Sequence, residues 1–97
     1  MHELWYDASD GWQHNDLTQL VPGAADHPPA PGSPLFGYAT PWNQQEHVNY
    51  LDGAGHVHEL WYSHSSGSWT HNDLTQLAPG ATGYTAAPGS PLDGYTT

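Results

Sequence analysis

The sequence predicts an all-β protein built from short antiparallel strands. Three observations support this class. Apolar and polar residues alternate over short segments, Gly-rich turns separate those segments, and Pro or Gly interrupts every longer window. Apolar residues do not recur at the 3.6-residue spacing of an amphipathic helix, so we expect no helix.

The strand pattern occurs twice along the chain. HELWY followed by W-x-HNDLTQL starts at His2 and starts again at His58. The offset is 56 residues for HELWY and 57 for W-x-HNDLTQL, so one residue is inserted in the turn between these segments. A further segment, APGSPL-x-GY, starts at Ala30 and again at Ala87. Copies this similar indicate one structural unit used twice.

Residues 35–77 contain one complete unit of four predicted strands. Segment 35–42 is short and aromatic, and segments 46–52 and 56–63 alternate in polarity on either side of the turn sequence Asp-Gly-Ala-Gly. Segment 69–74 follows a Ser/Gly turn, although its Asn-Asp pair could instead begin the turn that leaves the strand. Tight turns between consecutive strands predict a four-stranded antiparallel sheet.

The chain begins in the middle of a unit. Residues 1–34 hold the third and fourth strands of a partial unit and a Pro/Gly-rich connector. Residues 78–97 hold the matching connector and, over 92–97, a copy of the first strand, but no second copy of the second strand occurs. We expect this last strand to complete the unit of a neighbouring chain. Either that composite unit has three strands, or the chain is part of something longer.

The third strand carries large side chains on both faces. Trp61 lies on one face, and Leu60 and Tyr62 lie on the other, so the strand requires burial on both sides. Four-stranded sheets stacked around an axis provide such burial, which is the β-propeller arrangement. We therefore expect propeller blades that close into a ring by homo-oligomerisation. Symmetry alone leaves the number of chains in the ring open.

The charge composition excludes several classes of partner. The chain has no Lys or Arg and ten acidic residues, which gives a formal net charge of −10. Without permanent cations, binding to nucleic acid or to anionic membrane surfaces is not expected. No apolar run approaches the ~20 residues of a membrane-spanning helix.

The residues of the complete unit resemble a blade of the fucose-binding propeller lectins of fungi and bacteria. The resemblance is carried by Trp42 closing the first strand, Tyr50 near the end of the second, Val-x-Glu in the third, and the aromatics Tyr62 and Trp69. It implies a sugar site between adjacent blades. The Glu and an Arg would come from one blade, and aromatics of the third and fourth strands would come from the next. Some members of that family are two-blade chains that trimerise, so the resemblance favours a trimer of about six blades, and a tetramer or a pentamer stays open.

Matched residue by residue, the resemblance implies carbohydrate-binding roles for two sets of three side chains: Glu3, Tyr6 and Trp12 in the first copy, and Glu59, Tyr62 and Trp69 in the second. Glu59 and Tyr62 point to opposite faces of their strand, as a site shared between stacked blades requires. The Arg position of the family reads Val48 or a neighbour, so His47 or His58 would be the substitute.

Other interpretations of these residues are less specific. The alternative for the Glu residues is that they face solvent, and we expect Trp5 and Trp61 to pack in the core rather than bind sugar. The repeated His-Asn-Asp segments offer too few ligands for a closed metal site, so we expect no metal. Instead, Asp would cap a turn while His bonds a carbonyl. No cofactor is expected, and no nucleophile elbow suggests an enzyme.

The sequence thus predicts a non-enzymatic, lectin-like propeller module with shallow aromatic sites between blades, whose partners are copies of itself and glycans. The alternative is a structural propeller fragment, evolved or engineered, that self-assembles without a ligand. The sequence does not indicate a cellular compartment.

Overall fold

The computed structural model describes residues 1–87 and 90–92, and it confirms the all-β class. Its strands form two antiparallel sheets. The first sheet contains β1 (His2–Asp7) and β2 (Gly11–Asp16). The second contains, in this order, β3 (Leu35–Thr40), β4 (Gln45–Leu51), β5 (Val57–Ser63) and β6 (Ser68–Asp73). Apart from the strand predicted over 92–97, each predicted strand overlaps an observed one, with small displacements at the ends.

The expectation that the chain has no helix is wrong. The LTQL that ends each copy of the repeat forms a single helical turn, α1 (Leu17–Leu20) and α2 (Leu74–Leu77), and a short 3-10 turn follows each helix, Ala24–Asp26 and Ala81–Gly83. Both helices are one turn long, which is too short to display a 3.6-residue periodicity. Among the described residues, no helix has the length and apolar character needed to span a membrane.

The Asn-Asp pair ends the strand and starts the helix. Asp73 is the N-cap of α2, and its side chain accepts a hydrogen bond of 3.1 Å from the Gln76 backbone N–H. This confirms the predicted capping role at Asp73, whereas Asp16 makes no such bond to α1. His71, expected to bond a carbonyl, instead pairs with the ring of His58 at 2.8 Å.

The hydrophobic core lies between the four-stranded sheet and the segment that follows the first sheet. It contains Leu17, Val21, Ala24, Tyr50 and Leu60, with Trp69 packed against it. Backbone and side-chain hydrogen bonds hold the first connector in place. Tyr50 Oη donates to the His27 carbonyl at 2.6 Å, and the Ala30 N–H donates to the Leu51 carbonyl at 2.9 Å.

The second connector contacts the β4–β5 hairpin. The Ala86 N–H donates to the Gly55 carbonyl at 3.0 Å. Gly55 has a positive φ of 83°, and a Cβ at this position would lie 2.0 Å from the Ala86 carbonyl oxygen. Only glycine fits here without displacing the connector. The strand predicted over 92–97 lies, apart from Leu92, outside the described residues.

Candidate functional site

A cavity of about 380 Å³ lies between the two sheets, and residues from both copies of the repeat form its walls. The first sheet and the second sheet contribute four lining residues each: Glu3, Trp5, Tyr6 and Asn15, and Glu46, Tyr62, His64 and Trp69. Cavities of this volume fall in the lower part of the range of small-molecule sites, about 300–1,000 Å³.

The first sheet supplies a carboxylate held in position by an amide. Strand alternation places Glu3 and Trp5 on the same face of β1. Asn15 pairs with Glu3 in the strand register, and Asn15 Nδ2 donates to Glu3 Oε1 at 3.1 Å. This bond orients the carboxylate at the cavity wall, beside the indole of Trp5.

The second sheet supplies an aromatic pair. Tyr62 and Trp69 are directly opposite each other in the β5–β6 register, and their ring centroids are 5.4 Å apart. Trp69 also packs against the hydrophobic core, which restricts its orientation. At the rim, His64 Nε2 and Glu46 Oε1 are 3.6 Å apart, and both side chains are about half exposed.

Four of the six residues predicted for carbohydrate binding line this cavity: Glu3, Tyr6, Tyr62 and Trp69. The other two do not line it. Trp12 is 72% exposed on the outer face of the first sheet, where its ring meets Tyr6 at 5.5 Å. Trp5, expected in the core, is 40% exposed and lines the cavity. Asn15, Glu46 and His64 were not predicted, because only the placement of one sheet against the other identifies them.

Glu59 lies on the face of the second sheet that points away from this cavity. It accepts a hydrogen bond from Tyr38 Oη at 3.4 Å, and it lies 3.1 Å from His47 Nδ1. Burial, reinforced by the Glu59 charge and hydrogen bond, raises the pKa of Tyr38. Of the two His considered as substitutes for an Arg, His47 therefore contacts the Glu, whereas His58 is fully buried on the opposite face.

The arrangement suits recognition of a small polar molecule that has one apolar face. Aromatic rings provide flat apolar contact, and the carboxylate accepts hydrogen bonds from hydroxyl groups. No permanently cationic side chain exists in the chain to balance an anion. The chemistry of the cavity therefore favours a neutral ligand.

Comparisons with known proteins do not add to this description. No protein-family model, curated protein or solved structure matches the chain. The likeness to the propeller lectins thus rests on the short strand motifs of the complete unit and stays a prediction. The site itself is defined by its lining residues and their distances.

Proposed function

We propose that the chain is a non-enzymatic, lectin-like module of a β-propeller that binds carbohydrate between successive blades. The observation that carries this proposal is the composition of the cavity. It combines Glu3 of the first copy with Tyr62 and Trp69 of the second. This is the combination that the resemblance implies: an acid from one blade and aromatics from the next.

The proposed ligand class is a neutral monosaccharide or the terminal residue of a neutral glycan. Its apolar ring face stacks on the Tyr62–Trp69 pair, and its hydroxyl groups donate to the Glu3 carboxylate. Anionic sugars are disfavoured because the chain has a formal charge of −10 and no Lys or Arg.

Self-association is the second part of the proposal. The outer face of the first sheet exposes Leu4 by 71%, Tyr6 by 62% and Trp12 by 72%. In the second copy, by contrast, the equivalent Leu60 is fully buried and the equivalent Trp69 packs against the core. A second copy of the chain that covers the outer face in the same way would bring its own Glu59 towards Tyr6 and Trp12. Repetition of this contact closes a ring, for which a trimer is favoured and a tetramer or a pentamer is the alternative.

A glycan array followed by calorimetric titration of the best neutral sugar tests the binding site. Trp5→Ala removes an exposed ring of the cavity and Glu3→Gln removes its charge, and each is expected to weaken binding about tenfold or more. Trp42→Ala is the matched control, because Trp42 is 67% exposed and does not line the cavity. Equal effects of Trp5→Ala and Trp42→Ala would contradict the site.

The alternative is a structural fragment that self-assembles without a ligand. The exposed outer face favours assembly but says nothing about sugar. The same experiment separates the two functions. An assembled chain that gives no signal on the array supports the structural alternative and overturns the lectin proposal.

A further inference from the structure

A cluster of His and Asp side chains lies where the first connector meets the β4–β5 hairpin. His27 comes from the connector, Asp52 from the end of the hairpin turn, and His58 from β5. One ligand atom of each lies within 4.8 Å of the others. None of the three lines the cavity between the sheets, so this cluster is separate from the carbohydrate site.

The structure fixes the Asp52 side chain and the backbone at His27. Asp52 Oδ1 accepts the backbone N–H groups of Ala54 and His56 at 2.9 and 3.0 Å, so the second oxygen is directed towards His58. Asp52 Oδ2 lies 2.7 Å from His58 Nε2. The Tyr50 hydroxyl bonds the carbonyl of His27 and fixes the backbone there.

The orientation of His58 matches that of a metal-bound imidazole. Its side chain is fully buried, and its Nδ1 lies 2.8 Å from His71 Nε2. At 2.7 Å, Nε2 carries the proton that Asp52 Oδ2 accepts; on metal binding this proton would move to Nδ1, which then donates to His71 Nε2 and leaves the Nε2 lone pair free for the ion. A hydrogen bond from the far nitrogen is the usual partner of a metal-ligating His. A second carboxylate oxygen, Asp73 Oδ2, lies 4.0 Å from the same Nε2.

We propose that His27, Asp52 and His58 form a site for a divalent transition-metal ion, with Zn²⁺ as the ion of choice. Two imidazole nitrogens and a carboxylate oxygen are donors that Zn²⁺ accepts, and Asp73 or water completes the coordination. Zinc bonds of about 2.0–2.2 Å place ligand atoms roughly 3.3–3.5 Å apart. His58 and Asp52 must therefore separate slightly, while the exposed His27 moves inward.

The bound ion would fasten the first connector to the hairpin. It would also neutralise charge at a place where the chain has no Lys or Arg to do so. One ion is expected for each chain. The first-copy equivalents of His58 and His71, His2 and His14, have ring nitrogens 2.7 Å apart, but the repeat places Tyr84 at the counterpart of His27.

Titration of the chelator-treated, tag-free chain with Zn²⁺ tests the site, with Co²⁺ absorption as a probe of coordination. The expected result is one Zn²⁺ per chain, a higher thermal midpoint with the ion, and the intense visible bands of four-coordinate Co²⁺. His27→Ala changes an exposed side chain and is expected to weaken Zn²⁺ binding at least tenfold. Asp52→Asn keeps the size of the side chain and is expected to do the same.

His2→Ala is the matched control, since it changes an exposed member of the equivalent pair in the first copy. It is expected to leave the affinity and the stoichiometry unchanged. The proposal is overturned if the unsubstituted chain binds no Zn²⁺, or if His27→Ala binds as tightly as the unsubstituted chain. Loss of binding in His2→Ala with retention in His27→Ala would place the ion at the first copy instead.

Discussion

The two copies of HELWY have the same sequence and opposite environments. Leu60 is fully buried, whereas the equivalent Leu4 is 71% exposed. His58 is fully buried under the connector, whereas His2 is exposed. Both pairs lie on the same face of their strands, so neither side-chain chemistry nor strand register explains the difference.

The difference in burial between the two copies comes from the segment of the chain that packs on the second copy. The second copy is covered by Leu17, Val21 and Ala24, which arrive from the first copy along the chain. Their counterparts after the second copy, Leu74, Ala78 and Ala81, are not buried within the single chain. Within the single chain, the segment after the first copy packs on one face of the second sheet. Among the described residues, the equivalent segment after the second copy and the outer face of the first sheet make no such contact. In the proposed ring, a second molecule would supply what each of these elements lacks.

The largest expected difference in unfolding free energy is between alanine substitutions at Leu60 and at Leu4. Leu60→Ala leaves a cavity in the core and is expected to lower the free energy of unfolding by about 2–5 kcal/mol. Leu4→Ala is expected to change it by less than about 0.5 kcal/mol in the single chain, because the side chain is already exposed. Urea unfolding at low protein concentration measures both values. Equal costs there would contradict the difference in burial, while a Leu4→Ala cost that grows with concentration supports coverage by a second molecule.

The second connector contacts its own chain at Gly55, which provides the next test. Gly55→Ala imposes a positive φ on alanine and drives its Cβ into Ala86, so a loss of about 1–3 kcal/mol is expected. Gly53→Ala is the control in the same hairpin, because a Cβ there meets nothing within 4 Å. Thermal unfolding of the two variants compares them. A Gly55→Ala midpoint equal to that of Gly53→Ala would show that the connector does not approach this hairpin.

The ionisation of Tyr50 at alkaline pH tests whether the core-facing side of the second sheet is buried. Burial, with the nearby charges of Asp52 and Asp73, raises the pKa of Tyr50 to about 12, while an unfolded tyrosine titrates near about 10. The folded chain keeps this proton where the unfolded chain loses it. Stability is therefore full below the unfolded pKa and falls as pH rises towards the folded pKa, by at most about 1.4 kcal/mol per pH unit.

Urea unfolding across that alkaline interval measures the slope. Tyr50→Phe is expected to flatten it, although it also removes the hydrogen bond to the His27 carbonyl. Tyr38, whose pKa is also raised, contributes the same residual slope to both proteins. An unchanged slope in Tyr50→Phe would show that Tyr50 is not held neutral by the fold.

The smallest effect distinguishes the two helix caps. Asp73→Ala removes the bond to the Gln76 N–H and is expected to cost about 1 kcal/mol. Asp16→Ala is expected to cost less, because Asp16 makes no cap bond and its Oδ1 is buried without a hydrogen-bond partner among the described residues. Chemical denaturation of both variants gives the difference. A larger loss of unfolding free energy for Asp16→Ala than for Asp73→Ala would contradict the assignment of Asp73 as the residue that caps its helix.

Local sequence patterns were sufficient to predict the strands, but not which segments pack against each strand. Alternation and turn residues located all four strands of the second sheet, because those signals act between neighbours in sequence. The helices escaped prediction because one turn has no periodicity to detect. Four residues that line the cavity were named through the resemblance to a lectin blade, whereas Trp5 and Asn15 line it because of how one sheet faces the other. His27, Asp52 and His58 lie in three separate segments, and no motif spacing in the sequence predicts that these segments come together.

Sedimentation velocity on the unsubstituted chain and on Leu4→Asp tests most directly whether a second molecule covers the free face. Leu20→Asp is the control, since Leu20 is 52% exposed outside that face. We predict that the unsubstituted chain and Leu20→Asp sediment at micromolar concentration as one closed oligomer, with a trimer favoured, and that Leu4→Asp sediments as a 10.5 kDa monomer. A folded monomer of the unsubstituted chain at that concentration would contradict the account.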